Sequence, residues 1–510
     1  MQGWRAQFGA ADQRDLWNVL SKNRGLVLIF VAKFCESASY FSSVQVLTLF
    51  LTDELGFQDK SAGLLYGCYG ALISIYGFFM GNSIDRLGVA TSIKIGSSLS
   101  FIARGLLTIT RYRWLMYLNL LVLLPIAGAL GIPVLMIAVR RCTNEATRSF
   151  AFGIFYTIMN IAALLVGPMI DFLSINVSPD SPFSGNRRVL AASAVLSFCS
   201  LVASFRLARE PKLQVKTIPD QKDTGSSLAL FRDPSFVRFF VLSILMTNLR
   251  GVFRHLDATL PKYLLRTQGP DVNKGLIYAL DPLVVIVLVP VFGALLGKVD
   301  SFSVIIVGGY ISATSPLYMA YTKQVWAAMA FTCQLGLGEA LWSPRFLTYQ
   351  ATVAPEGKEA AFIAMSSAPL YLAKLPVGYF SGWLLQSFCP PLPNCKENET
   401  TCSQWLRTAS ATCSSPVLTG VCDKTCQLCD DCVDTLTACP EPNPGNTRLM
   451  WLIVCLMTVI SPLLVHLFRN RLQEPKHKYT PARTPSEIEE YREDVEMFDI
   501  IAGEEFGRTI

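Results

Sequence analysis

The chain has 510 residues, of which 51% are hydrophobic and only 16% are charged, and its formal net charge is +6. Soluble domains carry about a quarter charged residues, so this composition argues against a soluble protein. No run of Lys and Arg is suited to tracking phosphates, and no phosphate-binding loop pattern occurs. These features argue against a nucleic-acid partner and against a built-in ATP motor.

The apolar residues fall into blocks of about twenty, the length of helix needed to cross a hydrocarbon core of about 30 Å. The first block has no small-residue cleavage site, so we expect an uncleaved anchor rather than a signal peptide. The pattern predicts an all-α membrane protein with about twelve transmembrane helices in two six-helix halves. The predicted spans are 25–51, 62–81, 88–109, 114–139, 150–173, 189–207, 236–260, 275–296, 302–321, 325–347, 360–388 and 449–468.

The polar segments set the predicted domain organisation and its orientation. Lys and Arg concentrate at the N-terminus, between the halves and at the start of the C-terminal tail, as in cytosolic loops. Both termini are therefore expected in the cytosol, unless these segments are merely solvated linkers. The predicted parts are a cytosolic N-terminus 1–24, a first half 25–207, a cytosolic linker 208–235, a second half 236–468 with a Cys-rich non-cytosolic loop 389–446, and an acidic cytosolic tail 469–510.

The Cys-rich loop separates the last two predicted spans. So many cysteines in a short segment of low apolar content favour a disulfide-stapled unit and no bound metal. Zinc binding through Cys426-x-x-Cys429-x-x-Cys432 is the alternative. The acceptor sequons at Asn176 and Asn398 lie on the same predicted face, so we expect a glycoprotein. The cysteines of the loop are Cys389, Cys395, Cys402, Cys413, Cys422, Cys426, Cys429, Cys432 and Cys439.

Ionisable residues inside the predicted spans are the main functional signal, because each costs about 3 kcal/mol at mid-bilayer unless it faces a cavity or a partner. Lys33 and Glu36 lie three residues apart and so on one face of the first span. Asp281 precedes Pro282 near a predicted helix start, where a capping role competes with a functional one. Ion pairs between spans are the structural alternative for the whole set. Its other members are Arg104, Arg250, Arg254, His255, Asp257, Glu339, Arg345 and Lys374.

Glycine and proline weaken two predicted helices at corresponding places in the two halves. The fourth span has a Gly- and Pro-rich stretch at 125–133, and the tenth has one at 336–344 around Glu339. Paired interruptions of this kind often mark a gate or a binding cavity in transporters. We therefore expect both helices to be loosened there.

The loop between the second and third predicted spans reads Gly81-Asn82-Ser83-Ile84-Asp85-Arg86-Leu87-Gly88. It resembles the signature loop of the major facilitator superfamily, Gly-x-x-x-Asp-Arg-x-Gly, although Val89 and Ala90 stand where the family has basic residues. The resemblance implies the fold of that superfamily. It also assigns Asp85 and Arg86 to a latch that joins the two halves in one of two states.

Further motifs resemble the proton-coupled oligopeptide transporter family. Phe155-Tyr156-x-x-Met159-Asn160 is similar to the fifth-span motif of that family, and Gly338-Glu339-x-x-x-Ser343-Pro344 is similar to its tenth span. Glu36-x-x-x-Tyr40-Phe41-Ser42 aligns with the end of its first-span proton motif, Glu-x-x-Glu-Arg-Phe-x-Tyr-Tyr. The chain departs from that motif at Lys33 and Ser37, and Lys33 is expected to neutralise Glu36. With the ionisable residues of the spans, the resemblance gives these candidates for binding substrate or protons: Lys33, Glu36, Tyr40, Tyr156, Asn160, Arg250, Arg254 and Glu339.

We interpret the protein as a secondary active, proton-coupled transporter of a small polar solute, with a peptide or an amino acid as the first choice of substrate. Glu339 offers a partner for an ammonium group, and Lys33 with Arg250 or Arg254 offers one for a carboxylate. The alternatives are an organic-anion transporter and a non-transporting receptor that uses the Cys-rich loop. No nucleophile–base arrangement in the spans suggests an enzyme. We expect a monomer without a cofactor in the plasma membrane or an endolysosomal membrane.

Overall fold

The computed structural model describes residues 23–143, 145–175, 181–214, 234–296, 299–353, 372–389 and 447–473, together with residues 177 and 232. These ranges are helical and contain no strand, so the all-α prediction is confirmed. The helices of the first half are α1 (Arg24–Asp53), α2 (Asp59–Leu87), α3 (Val89–Ile109), α4 (Arg113–Cys142), α5 (Glu145–Ser174) and α6 (Gly185–Leu207).

The second half has six further helices within the described ranges. The first of them, α7, is broken into the segments Pro234–Leu245, Thr247–Ala258 and Leu260–Gln268. The others are α8 (Lys274–Leu295), α9 (Ser301–Tyr321), α10 (Val325–Val353), α11 (Lys374–Phe388) and α12 (Thr447–Leu467).

Every predicted span coincides with a helix, although the eleventh is described only from residue 372 onwards. By length and composition, seven of the described helices can cross a membrane. The number is eight when the first two segments of α7, which meet at 40°, are counted as one span.

Small and polar side chains line the contacts between helices inside each half. The Ser39 hydroxyl of α1 donates to the Ser193 carbonyl of α6 over 2.6 Å and lies 2.9 Å from the hydroxyl of Ser197. In the second half, a Cβ on Gly338 of α10 would lie 2.6 Å from the Gly308 carbonyl oxygen of α9. Small residues of this kind let helix backbones approach closely where lipid supplies no hydrophobic driving force.

The two helices with Gly- and Pro-rich stretches differ from each other. α4 is interrupted as expected, by a π-helical turn over Asn119–Leu123 and by a break at Gly131. α10 runs unbroken from Val325 to Val353, so the expected loosening there is wrong. Its glycines stay helical and provide close contacts, such as that of Gly336 with Asp281 on α8.

The two halves meet at the end of the bundle where α2 begins, here called the Asp59 end. α2 packs against α11 there, with Gly63 and Gly378 so close that a Cβ on either would overlap the backbone of the other. α5 packs against α8 through Gly167 and Gly275 in the same way. Backbone contact of this kind requires glycine, because any side chain would push the helices apart.

An ion cluster also joins the halves at the Asp59 end. Lys262 Nζ, in the last segment of α7, lies 2.8 Å from Asp59 Oδ1, and Arg266 Nη1 lies 2.9 Å from Asp59 Oδ2. Arg266 also donates to the carbonyl of Cys389, at the end of α11, over 2.6 Å. The Asp59 side chain is only 3% exposed, so both cations depend on a buried carboxylate of the other half.

A second polar contact between the halves lies at the start of α8. The Asp171 carboxylate of α5 accepts hydrogen bonds from the backbone N–H groups of Gly275 and Leu276, each over 2.7 Å. The first N–H groups of a helix have no partner inside the helix, and a carboxylate there also favours the helix dipole. Lys274 donates to the Ser174 hydroxyl over 2.8 Å beside them. α5 of one half therefore caps α8 of the other.

The hydrogen bonds between the halves are confined to one part of the bundle. Within the described ranges they run from the middle, where Lys374 donates to the Tyr40 hydroxyl over 2.9 Å, to the Asp59 end. Between pairs of described residues, no such bond lies nearer the opposite end, where α1 begins, here called the Arg24 end; Arg141 and Arg345 there have further interactions. The arrangement is therefore closed at the Asp59 end.

We predict that Asp59→Asn weakens this closure by about tenfold or more, because Lys262 and Arg266 lose their buried anion. Burial alone would raise the pKa of the Asp59 carboxyl, which precedes the apolar part of α2. Lys262 and Arg266 outweigh burial and hold that pKa below its ordinary value. A lowered pKa stabilises the closed form above the ordinary value of about 3.9, and the contribution is lost only as the pH falls below it. The contribution of Asp59 to closure should thus be independent of pH between about 5 and about 8.

The measurement is the distance between genetically encoded spin labels at the exposed positions Gln58 and Asp271, recorded at several pH values. Asp59→Asn should broaden or lengthen it. The matched control is Asp300→Asn, since Asp300 pairs with Arg469 and lies outside the ion cluster. An Asp59→Asn protein with the original distance would show that the ion cluster does not hold the halves together.

Candidate functional site

Charged and polar side chains gather in the middle of the bundle, between α5 of the first half and α7, α8 and α10 of the second. Glu339 on α10 acts electrostatically on Arg250 and Arg254 of α7. Tyr156 on α5 is close enough to Glu339 and Arg250 to interact with both electrostatically. Asp281 on α8 also acts on Tyr156. These five residues, the central cluster, are all partly exposed on the middle turns of their helices. Residues of both halves are therefore close together here and in part accessible to solvent.

Two opposite charges of the central cluster lack a direct partner among the described residues. The Arg250 guanidinium lies 4.8 Å from the centroid of the Trp342 ring, and its Nε is buried without a hydrogen-bond acceptor. Glu339 accepts no hydrogen bond and forms no ion pair within the described part of the chain. Arg250 and Glu339 thus attract each other without contact.

Arg254, by contrast, is committed to a carboxylate. Its Nη1 lies 3.0 Å from Oδ2 of Asp257, one turn along α7. The other contacts of Asp257 come from the first half, where Gln45 donates to Oδ1 and the Tyr66 hydroxyl donates to Oδ2, each over 3.1 Å. This carboxylate therefore links a cation of its own helix to two neutral donors across the halves.

Two further predicted candidates lie on the first-half side. The Tyr40 hydroxyl accepts from Lys374, whose ammonium also lies 5.4 Å from the centroid of the Tyr40 ring. Asn160 donates to the Tyr156 carbonyl one turn earlier in α5, over 3.2 Å. The structure thus brings together four of the predicted residues, with Asn160 and Tyr40 on the adjoining helices α5 and α1. The four are Tyr156, Arg250, Arg254 and Glu339.

Glu36 belongs to a separate cluster inside the first half. Its Oε1 lies 3.2 Å from Arg104 Nη1 on α3 and accepts from the Ser100 hydroxyl over 2.9 Å. The same Nη1 donates to the Ser197 hydroxyl of α6 over 3.0 Å. Both side chains of the pair are buried. The ion-pair partner of Glu36 is therefore Arg104. The expectation that Lys33 neutralises Glu36 through an ion pair is wrong.

Lys33 packs against a different helix. Its ammonium lies 4.4 Å from the centroid of the Phe155 ring on α5, and the residue is only 1% exposed. It forms no hydrogen bond or ion pair with the described residues, and it is not among the charges that act on Glu339. Lys33 and Glu36 do share one face of α1, as predicted. Lys33 contacts α5 from that face, whereas Glu36 contacts α3.

Asp281 is the member of the central cluster for which the sequence left a capping role open. It stands well inside α8, which begins at Lys274, so it does not cap the helix. Its Oδ1 is buried without a hydrogen-bond donor. The signal that could have identified it is an acidic residue directly before Pro282 in an otherwise apolar span.

The remaining predicted residues lie mostly outside the described part. Asp85 and Arg86 fall in the last turns of α2, but their side chains are not among those described. Except for Cys389 at the end of α11, the cysteines of the loop lie outside the described residues, as do Asn176 and Asn398. The disulfides, the zinc alternative and glycosylation stay predictions. The cysteines in or beside the spans carry free thiols: Cys35, Cys68, Cys142, Cys199, Cys333 and Cys455.

The sequence and the fold were compared with known protein families and solved structures. A family model described as Major Facilitator Superfamily matches residues 29–372. No curated protein matches the sequence at a significant level. A POT family transporter in complex with 5-aminolevulinic acid is similar in structure, with a TM-score of 0.63 and 14% identity over 89% of this chain and 97% of that chain. An auto-inhibited POT family peptide transporter has a TM-score of 0.65 and 15% identity over 90% of this chain and 99% of that chain.

At these identities the solved structures share the fold with this chain, and they confirm the predicted major facilitator fold. The family match begins in α1 and extends to the residues just before α11, so it includes helices of both halves. The chain therefore belongs to the major facilitator superfamily.

Proposed function

We propose that this multi-pass membrane transporter carries a small zwitterion, such as a peptide or an amino acid, by alternating access and with protons as the coupling ion. The observation that carries the proposal is the separated charge pair of Arg250 and Glu339. A charge at the depth of a bilayer is costly unless it faces a partner or a cavity. A solute that bears both a carboxylate and an ammonium group would satisfy both residues at once.

The chemistry of the two side chains fixes the orientation of such a solute. The planar guanidinium of Arg250 suits a carboxylate, because its N–H groups form a fork that matches two oxygens. Glu339 accepts hydrogen bonds from an ammonium group. Tyr156 approaches the same space from the first half, so a bound solute would contact both halves. Contact with both halves is what a solute needs in order to influence their relative movement.

The closed Asp59 end supports alternating access. In this arrangement a solute reaches the central cluster from the Arg24 end, which the distribution of Lys and Arg assigns to the cytosol. The opposite state requires that the Asp59 contacts and the glycine contacts between α5 and α8 separate. One neighbour in fold was solved with 5-aminolevulinic acid, a molecule with an amine and a carboxylate. That ligand class agrees with the charge pair of this chain.

We predict that Glu339→Gln and Arg250→Gln each reduce exchange of labelled dialanine or 5-aminolevulinic acid by about tenfold to a hundredfold. Each change removes one hydrogen bond to a charged group, which contributes about 1.5–3 kcal/mol. The measurement is counterflow in proteoliposomes at equal pH on both sides, because it requires no driving force.

The matched control is Asp300→Asn, a carboxylate of the same half that pairs with Arg469 away from the cluster. It should exchange solute like the unmodified protein. If the substrate is instead an organic anion, Glu339→Gln should increase exchange of monocarboxylates while Arg250→Gln abolishes it. Normal dialanine exchange by both Glu339→Gln and Arg250→Gln would remove the central cluster as the binding site.

We predict that Arg104→Gln and Glu36→Gln each lower the thermal stability of the purified protein. Each change leaves one buried charge without its partner, and breaking a buried pair from one side costs about 3–5 kcal/mol. The double variant Glu36→Gln/Arg104→Gln should recover part of the loss. Melting in detergent followed by intrinsic fluorescence measures all three variants.

The same variants test whether Glu36 binds protons in transport, as its resemblance to the family motif implies. In that case Glu36→Gln should melt like the unmodified protein and lose uptake driven by a pH gradient. Loss of stability that the double variant restores, with gradient-driven uptake intact, would assign Glu36 to the framework of the first half.

A further inference from the structure

Asp281 has surroundings that do not suit a negative charge. Its Oδ1 is buried without a hydrogen-bond donor. α8 and α10 approach so closely there that a Cβ on Gly336 would lie 3.0 Å from that oxygen. An ionised carboxylate needs donors around it, and a buried one that lacks them is destabilised relative to its neutral acid.

Pro282 leaves a backbone carbonyl free to accept a hydrogen bond from a protonated carboxyl. Proline has no N–H, so the carbonyl of Tyr278, one turn earlier in α8, has no amide donor from position 282. Short polar side chains in helices can bond the carbonyl three residues before them. A neutral Asp281 carboxyl can donate its O–H to such an acceptor, whereas an ionised carboxylate would be repelled by it.

A second carboxylate also opposes ionisation of Asp281. Glu339 on α10 acts on Asp281 as a like charge, and two carboxylates that share one site do not readily both ionise. Arg254, the cation that acts on Asp281, is already bonded to Asp257 at 3.0 Å. The groups that act on Asp281 are Glu339 and Cys333 on α10, Arg254 and Asp257 on α7, Tyr156 on α5 and Tyr278 on α8.

From this geometry we propose that Asp281 is a proton-binding site, and that the Asp281–Glu339 pair holds one proton in the solute-loaded state. With that proton on Asp281, Glu339 stays ionised and binds the ammonium group of the solute. The zwitterion itself adds no net charge. The halves can then close over the site without burying an ionised carboxylate that lacks a hydrogen-bond donor.

Loss of the proton explains how coupling arises at this site. When Asp281 ionises, its buried Oδ1 still lacks a donor, and its charge is repelled by the carboxylate of Glu339. Closing over such a carboxylate is disfavoured, so the halves do not change state without the proton. The proton gradient is then used at the second half of the molecule, where this chain keeps its unpaired carboxylates. This inference rests on the proposed zwitterion transport and adds to it the residue that binds the coupling ion.

The test uses the full-length protein in proteoliposomes with dialanine and 5-aminolevulinic acid as probes. In Asp281→Asn, accumulation driven by an acidic outside, expressed relative to the counterflow of the same variant at equal pH, should fall to the ratio seen without a gradient. Asp281→Glu keeps an ionisable group and should restore at least part of that accumulation. Asp300→Asn, the control away from the cluster, should behave like the unmodified protein in both assays.

The outcomes separate this inference from the function on which it rests. If the unmodified protein shows no counterflow with either probe, the proposed function fails. If counterflow is present and Asp281→Asn still accumulates solute under the gradient, the proton site is not Asp281.

A measurement on the unmodified protein covers the case in which Asp281→Asn does not fold. Dicyclohexylcarbodiimide reacts with carboxyls that are protonated in apolar surroundings, and mass spectrometry locates the adduct. We expect modification at Asp281 near neutral pH, with protection by dialanine, and none at Glu36, which Arg104 keeps paired. An Asp281 peptide that stays unmodified while Glu36 is labelled would overturn the inference.

Discussion

A charge held at the depth of a bilayer must find a partner, and the organisation of this bundle follows from which charges do so. Glu36 finds Arg104 inside the first half, and the two sit among serine hydroxyls of three helices. Asp59 finds Lys262 and a second cation in the other half. The first pair ties helices that move together, whereas the second ties helices that must separate in a transport cycle. Similar chemistry therefore makes a rigid half in one place and a reversible contact in the other.

The reversible contact is strengthened by backbone geometry. Gly167 and Gly275 bring α5 against α8 without any side chain between them, and Asp171 caps the start of α8 from the opposite half. Close backbone packing is lost over a short separation, because a gap of about 0.5–1 Å already removes about a quarter to a half of its dispersion energy. Together with the buried ion cluster, it favours two discrete arrangements of the halves over a continuous range. That property is what alternating access requires.

Patterns along the chain were sufficient for the fold and only partly for the site. Blocks of apolar residues located the helices, because crossing a bilayer imposes a length that composition reveals. The spacing of Lys33 and Glu36 correctly put both on one face of α1. It could not show that this face touches two helices, so that Glu36 pairs with Arg104 while Lys33 lies over Phe155. Partners of that kind are set by tertiary packing between residues far apart in sequence.

Asp281 shows the same limit from another side. An acidic residue before proline is a common helix start, although the apolar block already begins at residue 275. α8 begins at Lys274, so Asp281 lies inside the helix. The glycines of α10 suggested a loosened helix, yet they serve close packing of α10 against α8 and α9. Local propensity is weak evidence wherever a neighbouring backbone fills the space that a missing side chain leaves.

The distribution of unpaired charge also explains how the two halves divide their work. In the first half Glu36 is paired with Arg104, and Lys33 lies over the Phe155 ring with Glu36 as the anion that acts on it. In the second half Arg250 and Glu339 have no direct partner among the described residues. On the proposed function, a solute between the halves would meet its electrostatic partners on one side and neutral groups such as Tyr156 on the other. One half would then bind the charges of the solute while the other only contacts it, so that movement of the halves could change access to the site without first breaking the strongest bonds.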